Sequence, residues 1–152
     1  MLKDLVEAPL IQLGMTAADW EEAVRVAAAP LVENGKVTPA YVDDIIVGAK
    51  EHGPYFVLTE HVAMPHARPE CGALDSAIGI TTLKTPVDFG SPANDPVKYL
   101  FCLSAKDDDD HIAALQSLVE LLGNPEFFKV LDEATSAEDV LEFIRNAEEG
   151  TE

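Results

Sequence analysis

Positive charge is scarce in this chain. Ten Lys and Arg stand against 28 Asp and Glu among 152 residues, a formal net charge of −18. A surface this acidic repels nucleic acid and anionic lipid. It favours a partner with a basic face and speeds that encounter electrostatically; its plainest effect is to keep the protein soluble. Cysteine is scarcer still. Cys71 and Cys102 have no CxxC spacing and no neighbours in a metal-ligand pattern. Cys102 lies inside the apolar run 97–103 and reads as a buried core thiol, while Cys71 carries no assigned role. No apolar run approaches the ~20 residues that cross a bilayer, and Met1-Leu2-Lys3-Asp4 leads into mixed-charge sequence rather than a secretory signal. There is no internal repeat and no linker. These absences fit a reducing cytoplasm. The chain is 47% apolar at the length of one ordinary domain, enough to bury a core. Its periodicities alternate between strand and helix, which predicts an α/β layered fold.

In chain order, residues 9–13 read as a short strand ended by Gly14. Thr16 reads as the N-cap of a helix, with Asp19 three places on. Trp20, Val24, Ala27 and Leu31 recur at helical spacing up to Asn34-Gly35, although Pro30 predicts a kink or an early end. Thr38-Pro39 starts a second helix with Val42, Ile45, Ile46 and Ala49 inward, closed by Gly53-Pro54. The run 55–58 and residues 77–82 read as strands, and 84–95 as a loop. Residues 97–104 are the strongest strand, apolar on both faces as in a central strand covered on two sides. Asp110 reads as the N-cap of a helix carrying Ile112, Leu115, Leu118 and Leu122, with His111 in its first turn. Asn124-Pro125 opens a short helix, Ser136 the last one, and residues 147–152 are expected to fray.

The chain is organised around Val62-Ala63-Met64-Pro65-His66-Ala67-Arg68-Pro69-Glu70. Each proline fixes its own φ and pushes the residue before it, Met64 or Arg68, toward an extended shape. The prediction is a strand leading into a stiff loop that holds the His66 imidazole at its rim. A lone histidine is more often structural than functional. Here the loop is rigid on both sides, Ala67 leaves room for an approaching partner, and His111 is placed to meet His66.

Two chemistries suit such a pair. A histidine whose one ring nitrogen donates to a backbone carbonyl keeps a lone pair on the other and becomes a nucleophile at neutral pH. Phosphoryl transfer asks for in-line approach and for donors to the phosphoryl oxygens; a helix start and His111 offer such donors. Asp107, Asp108 and Asp109 oppose this unless they point away. The competing chemistry is metal binding by histidine and aspartate, although no EF-hand, HxxxH or HExxH spacing is present. The simplest reading of the four aspartates is a solvated loop capping a helix.

The 62–70 stretch resembles the active-site motif of the fructose/mannitol-type EIIA domains of the bacterial sugar phosphotransferase system, a pattern like I-A-x-P-H. The resemblance extends over nearly the whole chain, through Gly35-Lys36-Val37-Thr38 with Tyr41, the strand 97–104, and His111 opening a helix with Leu115 and Leu118. His-Ala-Arg-Pro-Glu, with Gly53-Pro54-Tyr55 upstream, is most similar to the ascorbate-type branch. The resemblance implies a mixed β-sheet with helices on both sides, in one domain over residues 1–147 with a frayed tail at 148–152. It implies that His66 accepts a phosphoryl group from phosphohistidine HPr and passes it to the cysteine of an EIIB partner, with a membrane EIIC taking in the sugar. His111 matches the second site histidine, which helps bind the phosphoryl group. Lys50, Met64 and Arg68 are further candidates for contact with the phosphoryl group or a partner. Lys50-Glu51 stands where many members have Arg-Glu, and a lysine lacks the bidentate fork. His61 stands where a small residue, often glycine, is common. No metal or cofactor is implied. A homodimer, a regulatory phosphoacceptor without sugar flux, and a metal-binding hydrolase using His61, His66, His111 and the aspartates are the alternatives carried forward.

Overall fold

The apolar run ending at Ser104 forms the middle strand of a five-stranded sheet, and everything that positions the candidate site is attached to it. The computed structural model describes residues 2–149. Strands β1 (Ile11–Met15), β2 (Val57–Thr59), β3 (Val62–Ala63), β4 (Ala77–Val87) and β5 (Val97–Ser104) lie in the order β1-β4-β5-β3-β2. β1 is parallel to β4 and β3 to β5, whereas β4–β5 and β2–β3 are antiparallel. Along β5 only Lys98 is not buried. Successive side chains leave a strand on opposite faces, so Leu100 and Cys102 enter one core while Tyr99, Phe101 and Leu103 enter another.

Helices α2 (Trp20–Glu33) and α3 (Pro39–His52) cover the first face with Val24, Leu31, Tyr41 and Ile45. Helices α4 (Asp108–Leu122), α5 (Pro125–Glu133) and α6 (Ala137–Glu149) cover the second with Leu118, Phe127, Val140 and Ile144, beside the short α1 (Leu2–Leu5). The fold is therefore α/β, a mixed sheet flanked by helices on both sides. Cys102 is a buried core thiol, and burial pushes it up to about 12.

Several local expectations need correcting. Residues 8–10 form a 3-10 turn, so β1 begins two residues later than residue 9. The N-cap of α2 is Asp19 and not Thr16: the Asp19 carboxylate accepts the Glu22 N–H at 2.9 Å. β4 runs on to Val87 through the segment expected to be loop. Pro86 is tolerated because the register shifts between Thr82 and Val87, where no ladder donor is demanded. α6 stays helical to Glu149, so the fray expected from residue 147 is not seen there, and residues 150–152 lie outside the described residues.

Pro30 does not end α2, which continues to Glu33. A proline at 30 leaves the Val26 carbonyl without its usual i+4 donor. The Gln12 side-chain amide, reaching from β1, supplies it at 2.8 Å and also meets Thr81 Oγ1 at 3.1 Å. Gln12→Ala is expected to lower unfolding stability by about 1–2 kcal/mol. Adding Pro30→Ala should recover part of that loss, because the helix regains its own N–H. Urea unfolding of the two single variants and the double variant measures the coupling.

Candidate functional site

The 62–70 loop leaves β3 and is pinned from four sides. Met64 N–H donates to Phe56 O at 2.8 Å, and Pro65 O accepts the Leu103 N–H of β5 at 3.0 Å. The Tyr55 hydroxyl donates to His66 O at 2.7 Å. The buried Tyr41 hydroxyl of α3 donates to Leu103 O at 2.8 Å and accepts the Ala67 N–H at 3.1 Å. Arg68, before Pro69, is extended as expected, with φ −69° and ψ 149°. The stiffness read from the two prolines is thus completed by two tyrosines. Tyr41 and Tyr55 fall in the motif segments, but their role as clamps is not legible there, because their partners are backbone atoms 26 and 11 residues away.

His66 is half-buried, and its Nδ1 lies 2.6 Å from Met64 O. A carbonyl only accepts, so Nδ1 carries the proton and Nε2 keeps the lone pair. Burial lowers the His66 pKa from the ordinary 6.5; His111 lowers it further, while the Met64 bond works the other way. The ring is accordingly neutral at physiological pH. The sign for function and folding is the same. Below pH 6.5 an unfolded chain takes up a proton that folded His66 resists, so folding loses stability as pH falls, and the folded ring stays nucleophilic. Any reaction that uses the Nε2 lone pair should therefore persist below pH 6.5, where a free histidine is mostly protonated. A pH–rate profile of labelling whose acid limb falls at or above 6.5 would contradict this.

His111 meets His66 with ring centroids 5.2 Å apart and planes tilted by 56°. It sits in the first turn of α4, whose N-cap is Asp107 and not Asp110. Asp107 turns back to accept the Asp110 N–H at 2.8 Å, and its carbonyl accepts the His111 N–H at 3.1 Å. Asp110 accepts from the Ser76 hydroxyl at 3.1 Å. The aspartate run is thus divided: two members hold the helix start, and Asp108 lines the cleft with the histidines. Four consecutive aspartates are each acceptable caps by type, and only the chain path out of β5 selects Asp107.

The cleft has a volume of about 750 Å³ and is walled by α3, the 62–70 loop and the start of α4. Arg68 lines it; so do Asp44, Glu51 and His52 of α3, which sequence reasoning did not select, and half-buried Cys71. Lys50 is not brought to it: its ammonium pairs with Glu21 at 2.8 Å. The Met64 side chain is wholly buried in the second core, so this residue acts at the site through its carbonyl. His61 is at the β2–β3 turn, outside the cleft lining, with φ +67° and Nδ1 2.7 Å from Pro96 O. That left-handed backbone is one that glycine adopts without penalty, which accounts for a small residue being common there. Among the described residues no three His, Cys, Asp or Glu side chains gather as a metal cluster. The ligand set of the hydrolase alternative is not assembled.

Comparison with known proteins decides the family. Residues 4–147 match the family described as "Phosphoenolpyruvate-dependent sugar phosphotransferase system, EIIA 2". The chain belongs to this EIIA family. The mannitol-specific cryptic phosphotransferase enzyme IIA component of Escherichia coli K12 is 39% identical over 144 residues, 94% of this chain and 97% of that protein. The ascorbate-specific PTS system EIIA component of the same strain is 36% identical over 141 residues, 92% of each chain. Enzyme IIA-mannitol of E. coli, solved in complex with phosphorylated enzyme IIB-mannitol, superposes with a TM-score of 0.80 at 29% identity, covering 93% of this chain and 99% of that one. The resemblance read from the 62–70 motif is therefore correct as to family and fold. Among the described residues of this EIIA chain, no helix is long and apolar enough to cross a membrane.

Proposed function

We propose that this EIIA protein is a cytoplasmic phosphocarrier in which His66 Nε2 accepts a phosphoryl group from the phosphohistidine of HPr and delivers it to the cysteine of an EIIB partner. The observation that carries the reading is the His66 Nδ1–Met64 carbonyl bond of 2.6 Å beside His111. In the first step the Nε2 lone pair attacks phosphorus in line as the donor's N–P bond breaks. In the second an EIIB thiolate attacks, the S–P bond forms, and the His66 N–P bond breaks. The proton stays on Nδ1, donated to the Met64 carbonyl throughout, so the ring leaves each cycle as the same neutral tautomer. His111 donates to a phosphoryl oxygen as charge spreads over it, and Arg68 is the cation on the cleft wall.

An acidic surface suits a donor with a basic face. Val47 and Tyr55, 49% and 41% exposed on the cleft wall, offer the apolar contact that a protein partner, rather than a free metabolite, would cover. The sugar belongs to the ascorbate or mannitol/fructose class and is handled by a membrane EIIC, so this chain need not touch it.

The test is incubation with phosphoenolpyruvate, Enzyme I and HPr. One acid-labile, base-stable phosphoryl group on His66, chased onto EIIB, is the expected result; no label, or label on another residue, refutes the proposal. A regulatory role in place of sugar uptake is decided by neighbouring genes, since an adjacent EIIB and EIIC pair specifies transport.

A further inference from the structure

We infer that Asp108 sets the phosphoryl-transfer potential of this protein: its carboxylate loads phosphorylated His66 with unfavourable field and so drives the group onward to the acceptor. The inference rests on the proposed phosphocarrier role of His66. It arises from a member of the aspartate run that lines the cleft without capping α4.

Asp107 is committed to the Asp110 N–H and Asp110 to the Ser76 hydroxyl, whereas Asp108 stands at the first position of α4 on the cleft wall with His66 and His111. The other formal charges on that wall are Asp44, Glu51 and Arg68. Three carboxylates against one guanidinium leave the lining at 1 − 3 = −2, with His52 and His111 as its other titratable bases. A phosphoryl group brings about −1.5 to −2 more at neutral pH. Helix geometry places residues three apart on one face, so Asp108 and His111 flank the arriving group from the same turn. His111 stabilises it by a directed hydrogen bond, while Asp108 opposes it through space. The neutral acceptor state of His66 does not feel this repulsion, so the carboxylate raises the phosphorylated state alone. That is a change in equilibrium, which a donor of hydrogen bonds to the transition state would not by itself produce.

The test measures the phosphotransfer equilibrium between HPr and the full chain, together with the hydrolysis half-life of the isolated phosphoprotein. Asp108→Asn is expected to shift the equilibrium roughly three- to tenfold toward phosphorylated EIIA at low salt. It should slow onward transfer to EIIB by a comparable factor. Asp108→Glu, which keeps the charge, should restore wild-type values, and the Asn shift should shrink in about 1 M salt, where the screening length is roughly 3 Å. A shift that Glu does not restore, or one that salt leaves untouched, would mean a structural effect and overturn the inference. So would an equilibrium constant in Asp108→Asn equal to wild type. If wild-type protein takes no label on His66, the phosphocarrier reading itself falls; if it labels normally but Asp108→Asn does not shift, only this inference does.

Discussion

His66→Ala will take no phosphoryl group from HPr, a loss of at least roughly 1,000-fold in labelling rate. The size follows from the mechanism: there is no second nucleophile on the cleft wall in the same state. Among the described residues no carbonyl fixes the His111 tautomer, and Cys71 is a half-buried thiol whose pKa is raised by burial and by Asp44, away from the reactive thiolate. The fold should survive. The substitution removes one hydrogen bond, Nδ1 to Met64 O, at a cost of about 1 kcal/mol, while the loop keeps its bonds from Tyr55, Tyr41 and Leu103. The circular dichroism spectrum should therefore match wild type, and urea unfolding should stay cooperative with a midpoint lowered by no more than that loss, while the radiolabel disappears. A folded His66→Ala that labels like wild type would end the phosphocarrier reading.

The second large effect is at His111. His111→Ala should still be labelled on His66, but about 100-fold more slowly, the loss seen when one preorganised donor to a developing charge is removed. His111→Gln, which retains an N–H donor, should recover part of the rate. In the proposed role the residue acts on the group in flight rather than on the fold: its ring stands at the open cleft, 5.2 Å from the His66 ring, and its backbone N–H is held by Asp107 regardless of side chain. Wild-type labelling rates in folded His111→Ala would remove it from the site.

The two variants also separate the roles of acceptor and donor that the sequence reading proposed for the pair. Loss of the acceptor eliminates the covalent product, whereas loss of the donor slows its formation and leaves its address unchanged. The location of label in His111→Ala is thus as informative as its rate.

How much could be read without coordinates varies with the range of the interaction concerned. The loop 62–70 was legible because proline acts on its own φ and on its neighbour, and Arg68 adopts the extended backbone so predicted. β5 was legible because burial on both faces writes itself as an unbroken apolar run. The misreadings were of choices between near-equivalent local signals. Thr16 and Asp19 are both good caps, as are Asp107 and Asp110, and residue type alone does not choose between them; the caps are Asp19 and Asp107. Pro30 spoke for a break that α2 does not make, since the compensating donor comes from Gln12 on another strand. Lys50 sits on the helix that walls the cleft, yet its ammonium turns to Glu21 of α2.

From its own residues the chain determined two stiff prolines around a histidine, a central apolar strand, and a helix beginning near a second histidine. Each of these depends on a residue and its immediate neighbours. Only the tertiary structure decided that β3 lies parallel to β5 so that the Leu103 amide holds Pro65, that Tyr41 and Tyr55 clamp the loop, that His111 faces His66, and that Asp108 alone of its run lines the cleft. The physical reason is that those relations join atoms far apart along the chain, where local propensity carries no information and packing of the two cores sets the geometry.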